Sequence, residues 1–205
     1  MQNESRIIES SAMHWDPENA GVLDRIGDFA LGVGGVDHRH MIVDIHTRDI
    51  GMMRKLKRTG ATVIPIDLGC TAVHAVDSAA WRGLRRGAAA CRLPIGPRSV
   101  DVVFADLVLH RLPVPSLAIT EMQRILRPGG RLVITEIEKR DHFETKRAGE
   151  NQWPGFYPGD LRHWLKNAGF SNIIVNPIPS RFLSPRPAAQ GRIASSGFLM
   201  ATGTA

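Results

Sequence analysis

Residues 121–134 read EMQRILRPGGRLVI, in which an amphipathic helical run meets an apolar strand-like run across a Pro-Gly-Gly sequence. Pro128 cannot continue a helix, because its ring removes the backbone N–H and clashes with the preceding turn. The Gly129–Gly130 pair permits a sharp reversal, because glycine tolerates backbone angles that other residues avoid. The stretch therefore predicts a helix over 116–126 and a strand over 131–136, joined by a tight turn.

The rest of the chain continues this alternation of short apolar runs and helical runs. The further strands are predicted at 41–45, 61–66, 88–91, 100–105, 173–175 and 197–201, and the further helices at 17–29, 49–59 and 158–168. Such alternation is typical of an α/β fold in which helices cover both faces of a mostly parallel sheet. We expect an N-terminal helical or irregular cap over 1–40 and one α/β domain over 41–205.

Composition excludes several classes of protein. Of the 205 residues, 43% are hydrophobic and 22% are charged, which is ordinary for a globular domain. The longest uncharged apolar stretches are too short to span a bilayer, so we expect no membrane segment. The two cysteines, Cys70 and Cys91, cannot build a disulfide framework or a four-cysteine zinc site. We therefore expect a cytoplasmic protein.

The charge pattern argues against a nucleic-acid site, and the histidine spacing argues against a metal site. The 26 basic and 20 acidic residues give a net charge of +6, but aromatic residues scarcely interleave the arginines, so nucleic acid is not favoured as a partner. Three histidines lie close in sequence without the tight spacing of a metal site, so no metal is predicted. They are His38, His40 and His46.

Two segments carry the pattern of a known family. Residues 93–112 read LPIGPRSVDVVFADLVLHRL and precede the 121–134 stretch, and residues 165–170 read LKNAGF before a predicted strand. Together they closely resemble the class I S-adenosylmethionine-dependent methyltransferases, in the branch that acts on small molecules. The resemblance covers roughly four-fifths of the chain, from residue 41 onward. It implies a Rossmann-like fold with an antiparallel last strand, S-adenosylmethionine as cofactor and a small-molecule methyl acceptor.

The resemblance places the cofactor at the carboxyl ends of the strands. Asp67 matches the acid that pairs with the ribose hydroxyls in the family. The family's first strand ends in an acid, here Asp44, followed by three alternate glycines, and this sequence has His46, Arg48 and Ile50 at those positions. Their side chains occupy space that the cofactor normally fills, so we expect weak or altered binding. The cofactor-binding candidates are Asp44, His46, Arg48, Asp67, Leu68, Leu93 and Asp106.

Two residues after the strand at 100–105 are candidate catalytic groups. His110 is either a general base or a histidine that packs below the pocket. Asp106 can stabilise positive charge on a sulfonium or an amine. Glu136 ends the next predicted strand, and the sequence favours neither of its two possible orientations, towards the cleft or towards the core. Three aromatic residues either cover the pocket or pack on the sheet: Trp153, Phe156 and Tyr157.

Three functions stay open at this point. The first is an S-adenosylmethionine-dependent methyltransferase that acts on an unidentified small molecule. The second is a catalytically inactive binding or regulatory protein on the same fold. The third is an enzyme or sensor that binds a different, anionic ligand through Arg48, Arg92 and His46. A homodimer is a further expectation, because the apolar residues of the proline-rich arm at 177–192 either cover a partner subunit or fold back over the sheet.

Overall fold

The computed structural model describes residues 17–46, 51–67, 92–139, 153–183 and 197–205. Its helices are α1 Pro17–Gly34, α2 Gly51–Arg58, α3 Pro115–Ile125, α4 Pro158–Asn167 and α5 Ser180–Leu183. Its strands are β1 Met41–His46, β2 Thr62–Asp67, β3 Val100–Asp106, β4 Leu126–Ile137, β5 Ser171–Pro177 and β6 Phe198–Thr204. A 3-10 turn, Leu109–Arg111, follows β3. The predicted strand at 88–91 lies outside the described residues.

The six strands form one sheet in the order β2-β1-β3-β4-β6-β5. Strands β1 to β4 pair in parallel, and β6 runs antiparallel to both β4 and β5. The two strands that the sequence places side by side are in register, with Ile42 opposite Val102 and Ile45 opposite Ala105. The predicted α/β fold with a mostly parallel sheet and an antiparallel last strand is confirmed.

Side chains on the two faces of the sheet build two cores. Val43 and Ile45 point to the face that α3 and α4 cover, whereas Ile42 packs with residues of α1 and α2 on the other face. All three side chains are fully buried. A strand that is buried on both faces reads as a continuous apolar run, which is why β1 shows little alternation in the sequence.

The stretch at 121–134 folds as a helix followed directly by a strand. Helix α3 ends at Ile125 and β4 begins at Leu126, five residues before the expected strand. The strand starts early because Leu126 already lies opposite Val100 of β3. The Pro-Gly-Gly turn is therefore an irregularity inside β4, where Gly129 has a φ of 80° and donates a hydrogen bond to the carbonyl of Ala205 at 2.8 Å.

Helix α1 extends five residues beyond the helix predicted at 17–29 and covers one face of the sheet. Ile26 and Ala30 are buried against Phe104 of β3. Gly34 leaves room for that ring, because a Cβ atom there would lie 2.5 Å from Cζ of Phe104. Helix α1 thus belongs to the same core as the sheet, and the proposed domain boundary at residue 40 stays a prediction.

The first part of the proline-rich arm folds back on the chain. Ile178 is buried in the core beneath α1, and the ring of Phe182 lies 4.8 Å from that of Phe29. Arg25 donates hydrogen bonds to the carbonyls of Phe182 and Leu183 at 3.1 and 2.8 Å. The apolar residues that suggested a homodimer therefore pack within their own chain. Residues 184–196 lie outside the described residues. No helix within the described ranges is long and apolar enough to cross a membrane.

Candidate functional site

The carboxyl ends of four parallel strands lie along one edge of the sheet. His46 ends β1 directly opposite Asp67, which ends β2. Asp106 ends β3 and lies opposite Thr135 of β4. We call this line of strand ends the carboxyl edge. It brings together three residues that the sequence places at the cofactor or catalytic site, and ligands of open α/β sheets bind outside such an edge.

Of the residues that the sequence assigns to the cofactor loop, the structure describes those that end β1. Asp44 is fully buried two residues before the end of β1, between Pro65 and Phe104 of the neighbouring strands. Arg48 and Leu68 lie outside the described residues, and the side chains of the residues that end β1 and β2 are not described. Their assignment to the cofactor stays a prediction.

Asp106 is held at the carboxyl edge by a neighbouring strand. The hydroxyl of Thr135 donates a short hydrogen bond to Oδ1 of Asp106. The chain then turns sharply, since Leu107 has a φ of 49° and donates its N–H to the carbonyl of Thr135 at 3.0 Å. The carboxylate therefore has a fixed position at the end of β3, where a positive charge would be stabilised.

His110 lies in the 3-10 turn after β3 and forms a buried pair with Glu136. Nδ1 of His110 is 2.8 Å from Oε2 of Glu136, and the two side chains are 3% and 0% exposed. Sequence reasoning named both residues but not the bond between them. The sequence feature that could have indicated this bond is Glu136, an acidic residue near the end of the apolar strand β4, because a buried carboxylate requires a partner.

Three backbone N–H groups also donate to the Glu136 carboxylate. Oε1 accepts from Leu109 at 2.6 Å and from His110 at 3.3 Å, and Oε2 accepts from Ile137 at 3.1 Å. Glu136 thus faces the core rather than an open cleft, and it fixes both the turn and the imidazole that follow β3.

Of the three aromatic residues after β4, Trp153 and Phe156 pack against the core, whereas Tyr157 is exposed. The backbone N–H of Trp153 donates to the carbonyl of His110 at 3.0 Å, and its indole N–H donates to the carbonyl of Leu112 at 3.0 Å. The ring of Trp153 lies 5.8 Å from the rings of Phe156 and Trp164. Packing therefore accounts for Phe156, which is buried, while Trp153 keeps part of its surface exposed.

Leu93 is buried in the core, and its backbone is tied to α3. Its N–H donates to Oε1 of Glu121 at 2.7 Å, and its carbonyl accepts from Arg124 at 3.3 Å. Burial favours the neutral form of Glu121, but the guanidinium of Arg124 and the N–H of Leu93 hold the pKa of that carboxyl below its usual range. Leu93 would contact a cofactor through its non-polar side chain. This contact stays a prediction.

The described ranges contain no group of three or more histidine, cysteine or acidic side chains that would hold a metal ion. The carboxylates of Asp106, Glu121 and Glu136 are each held by N–H or O–H donors of neighbouring residues. Such hydrogen bonds orient side chains for binding and proton transfer.

Comparison with known proteins shows which domain model and which solved folds this chain resembles. The family model described as a methyltransferase domain matches residues 49–134. The fold also matches the crystal structure of the Burkholderia thailandensis 1,6-didemethyltoxoflavin-N1-methyltransferase with bound 1,6-didemethyltoxoflavin and S-adenosylhomocysteine. That match has a TM-score of 0.61 at 18% identity and covers 92% of this chain and 79% of the other. This chain has the fold of the class I methyltransferases, and its residues 49–134 resemble a methyltransferase domain.

Two further relatives show how far the likeness reaches. The chain superposes on the cyclase SpnF with a TM-score of 0.64 at 22% identity, over 88% of this chain and 80% of the cyclase. It is 52% identical over 44 residues to an uncharacterised chloroplastic methyltransferase of Arabidopsis thaliana. That match covers 22% of this chain and only 12% of the length of that relative.

Proposed function

We propose that this protein transfers a methyl group from S-adenosylmethionine to a small molecule bound at the carboxyl edge. The observation that carries the proposal is the convergence at this edge of His46, Asp67 and Asp106, which end three neighbouring parallel strands. The match to the methyltransferase domain supports the same reaction.

The chemistry of the described residues fits the cofactor. Asp67 ends β2, and a carboxylate at that place can accept charge-assisted hydrogen bonds from two ribose hydroxyls. Asp106 ends β3, and its carboxylate would stabilise a positively charged sulfonium nearby. When bound, S-adenosylmethionine supplies an electrophilic methyl group on a positively charged sulfur.

The task of the protein is then mainly one of alignment. Because the sulfur leaves as a neutral thioether, no acid is needed to stabilise the leaving group. The carboxyl edge has to hold the acceptor atom, the methyl carbon and the sulfur in line, and such positioning can supply several kcal/mol of the barrier. Thr135 contributes to this order because its hydroxyl fixes one oxygen of Asp106.

Titration calorimetry of the full chain with S-adenosylmethionine and S-adenosylhomocysteine tests the proposal. We expect saturable binding of both compounds, followed by transfer of a labelled methyl group to an acceptor from a small-molecule panel. Absence of binding to both compounds would overturn the proposal. Binding without transfer to any acceptor would support the inactive binding protein instead.

A further inference from the structure

Strand β5 forms one edge of the sheet in the described part of the chain, where it pairs with β6 alone. The N–H of Ile178 donates to a carbonyl of β6 at 2.7 Å, and Ile174 lies opposite Thr202 in the same register. Because backbone groups alternate along a strand, those of Ile173 and Val175 point away from β6. The edge therefore presents N–H donors and carbonyl acceptors that another strand could pair with.

Arg162 of α4 covers the outward carbonyls of this edge. Its Nη1 donates to the carbonyl of Ile173 at 3.4 Å, and its Nη2 donates to the carbonyl of Val175 at 3.3 Å. The guanidinium thus occupies the place of a further strand, whose N–H groups would meet the same two carbonyls. Both distances are long for a hydrogen bond, so this contact contributes little to the stability of the fold. Its effect on the edge can be separated from its effect on folding.

Two irregular features limit the part of β5 that can pair. Asn172 has a φ of 49°, and the register with β6 shifts just before Ile174, so the strand is bulged at its start. Near the other end, Pro177 has no N–H to donate. The part of the edge that can pair is therefore confined to residues 173–175.

This short window suits antiparallel pairing with a second copy of the chain. A twofold axis at Ile174 would set Ile173 of one copy opposite Val175 of the other, and such opposite residues exchange both of their backbone hydrogen bonds. The axis repeats the exchange on its other side. The side chain of Ile174 is 57% exposed and faces away from α4, because its two neighbours pack in the core that α4 covers. Two copies of this apolar side chain would meet at the axis.

We propose that the β5 edge is a latent surface for pairing with a second copy of this chain and that Arg162 keeps it closed. Opening the edge requires only that the guanidinium leaves the two carbonyls, and a long arginine side chain can turn towards solvent. A second copy is favoured over a foreign peptide because one window supplies both complementary halves and the apolar contact. The proposal is independent of methyl transfer and of the homodimer expected from the arm at 177–192.

Removal of the guanidinium tests the proposal in the full-length protein. Arg162→Ala opens the edge, and Lys166→Ala removes an exposed cation one turn later on α4 as the matched control. Light scattering from micromolar to millimolar concentration should show self-association of Arg162→Ala that is tighter than in the parent by about tenfold or more. The control should behave as the parent does. Adding Ile174→Lys to Arg162→Ala should restore the mass of one chain, because like charges then meet at the axis.

Amide hydrogen exchange should locate the pairing. The N–H groups of Ile173 and Val175 should exchange quickly in the parent and more slowly as the concentration of Arg162→Ala rises. A folded Arg162→Ala that keeps the mass of one chain at every concentration overturns the proposal. Self-association that persists with Ile174→Lys also overturns it, because the contact then lies elsewhere.

Two further outcomes bear on the role of Arg162 itself. If the parent already self-associates and Ile174→Lys abolishes this, the edge pairs but Arg162 does not close it, which overturns the proposal. If circular dichroism shows that Arg162→Ala is unfolded, Arg162→Lys replaces it. Lysine keeps the apolar stem and the charge but lacks the planar fork that reaches both carbonyls. Self-association of Arg162→Lys above that of the parent supports the proposal, and an unchanged mass of one chain overturns it.

Discussion

Arg124 and Glu121 form a two-pronged ion pair on α3, in which Nε and Nη2 of the arginine each donate to one carboxylate oxygen at 2.7 Å. The same carboxylate accepts the N–H of Leu93, and the guanidinium reaches the carbonyl of Ile95 at 2.8 Å. One pair of side chains therefore fastens the segment before β3 to the helix after it, next to the predicted cofactor region.

Low pH should weaken the ion pair between Arg124 and Glu121. The folded-state pKa of Glu121 lies below its ordinary value of 4.5, so its contribution to stability is complete above that pH and is lost as the pH falls through the lowered pKa. Glu121→Gln should lower the free energy of unfolding by about 1–3 kcal/mol at neutral pH, because it leaves buried donors poorly paired. Urea titrations should show that this difference shrinks below about pH 4.5. A difference that grows in acid would contradict this account.

Two glycines of α1 should respond in opposite directions to alanine. A Cβ atom on Gly34 would lie 2.5 Å from the Phe104 ring, whereas one on Gly32 meets nothing within 4 Å. We expect Gly34→Ala to destabilise the fold by about 1–3 kcal/mol through overpacking. Gly32→Ala should stabilise it by up to about 1 kcal/mol through helix propensity. Thermal unfolding of the two variants checks the sign, and equal effects would show that α1 is not seated on the sheet as described.

The contact between α1 and the proline-rich arm should be measurable as a coupling energy. The rings of Phe29 and Phe182 are 4.8 Å apart at an angle of 45°. A double-mutant cycle with Phe29→Leu and Phe182→Leu should give a coupling of about 0.5–1.5 kcal/mol. The same coupling at low and high protein concentration would assign the contact to a single chain. A coupling energy that grows with protein concentration would instead support the predicted homodimer.

The sequence predicts the sheet well because its strands are short apolar runs between clear breaks. It places β1, β3 and β6 within a few residues, and it places the cofactor region at the carboxyl edge. It does not resolve which way Glu136 faces, because a residue at a strand end turns to the core or the cleft according to the neighbouring strand. The fold-back of Ile178 and Phe182 depends on α1, which lies about 150 residues earlier in the chain.

Replacement of the acid at the end of β2 should weaken the cofactor complex. If Asp67 accepts hydrogen bonds from the ribose hydroxyls, Asp67→Ala loses about 1.5–3 kcal/mol per charge-assisted bond, which is tenfold or more in affinity for S-adenosylhomocysteine. Asp24→Ala removes an exposed carboxylate on α1 that pairs with Lys55, and it should leave the affinity unchanged. Equal affinities of Asp67→Ala and the parent in calorimetry would place the ligand elsewhere.

The loop after β1 offers the sharpest test of the altered cofactor site. His46, Arg48 and Ile50 stand where the family uses glycines, and a cationic side chain near the sulfonium adds charge repulsion to the loss of space. Replacing all three by glycine should raise the affinity for S-adenosylmethionine, although each glycine costs about 0.5–1 kcal/mol in backbone entropy.

A matched variant with three alanines removes the same side chains without the extra backbone freedom. If bulk and charge alone block the cofactor, the alanine variant gains as much affinity as the glycine variant. If the family's glycines serve positive φ angles, only the glycine variant gains. Calorimetry that finds the parent tighter than both variants would mean that the three side chains bind the cofactor themselves. The loop would then be an adapted site, in which Arg48 is the group suited to a carboxylate of the ligand.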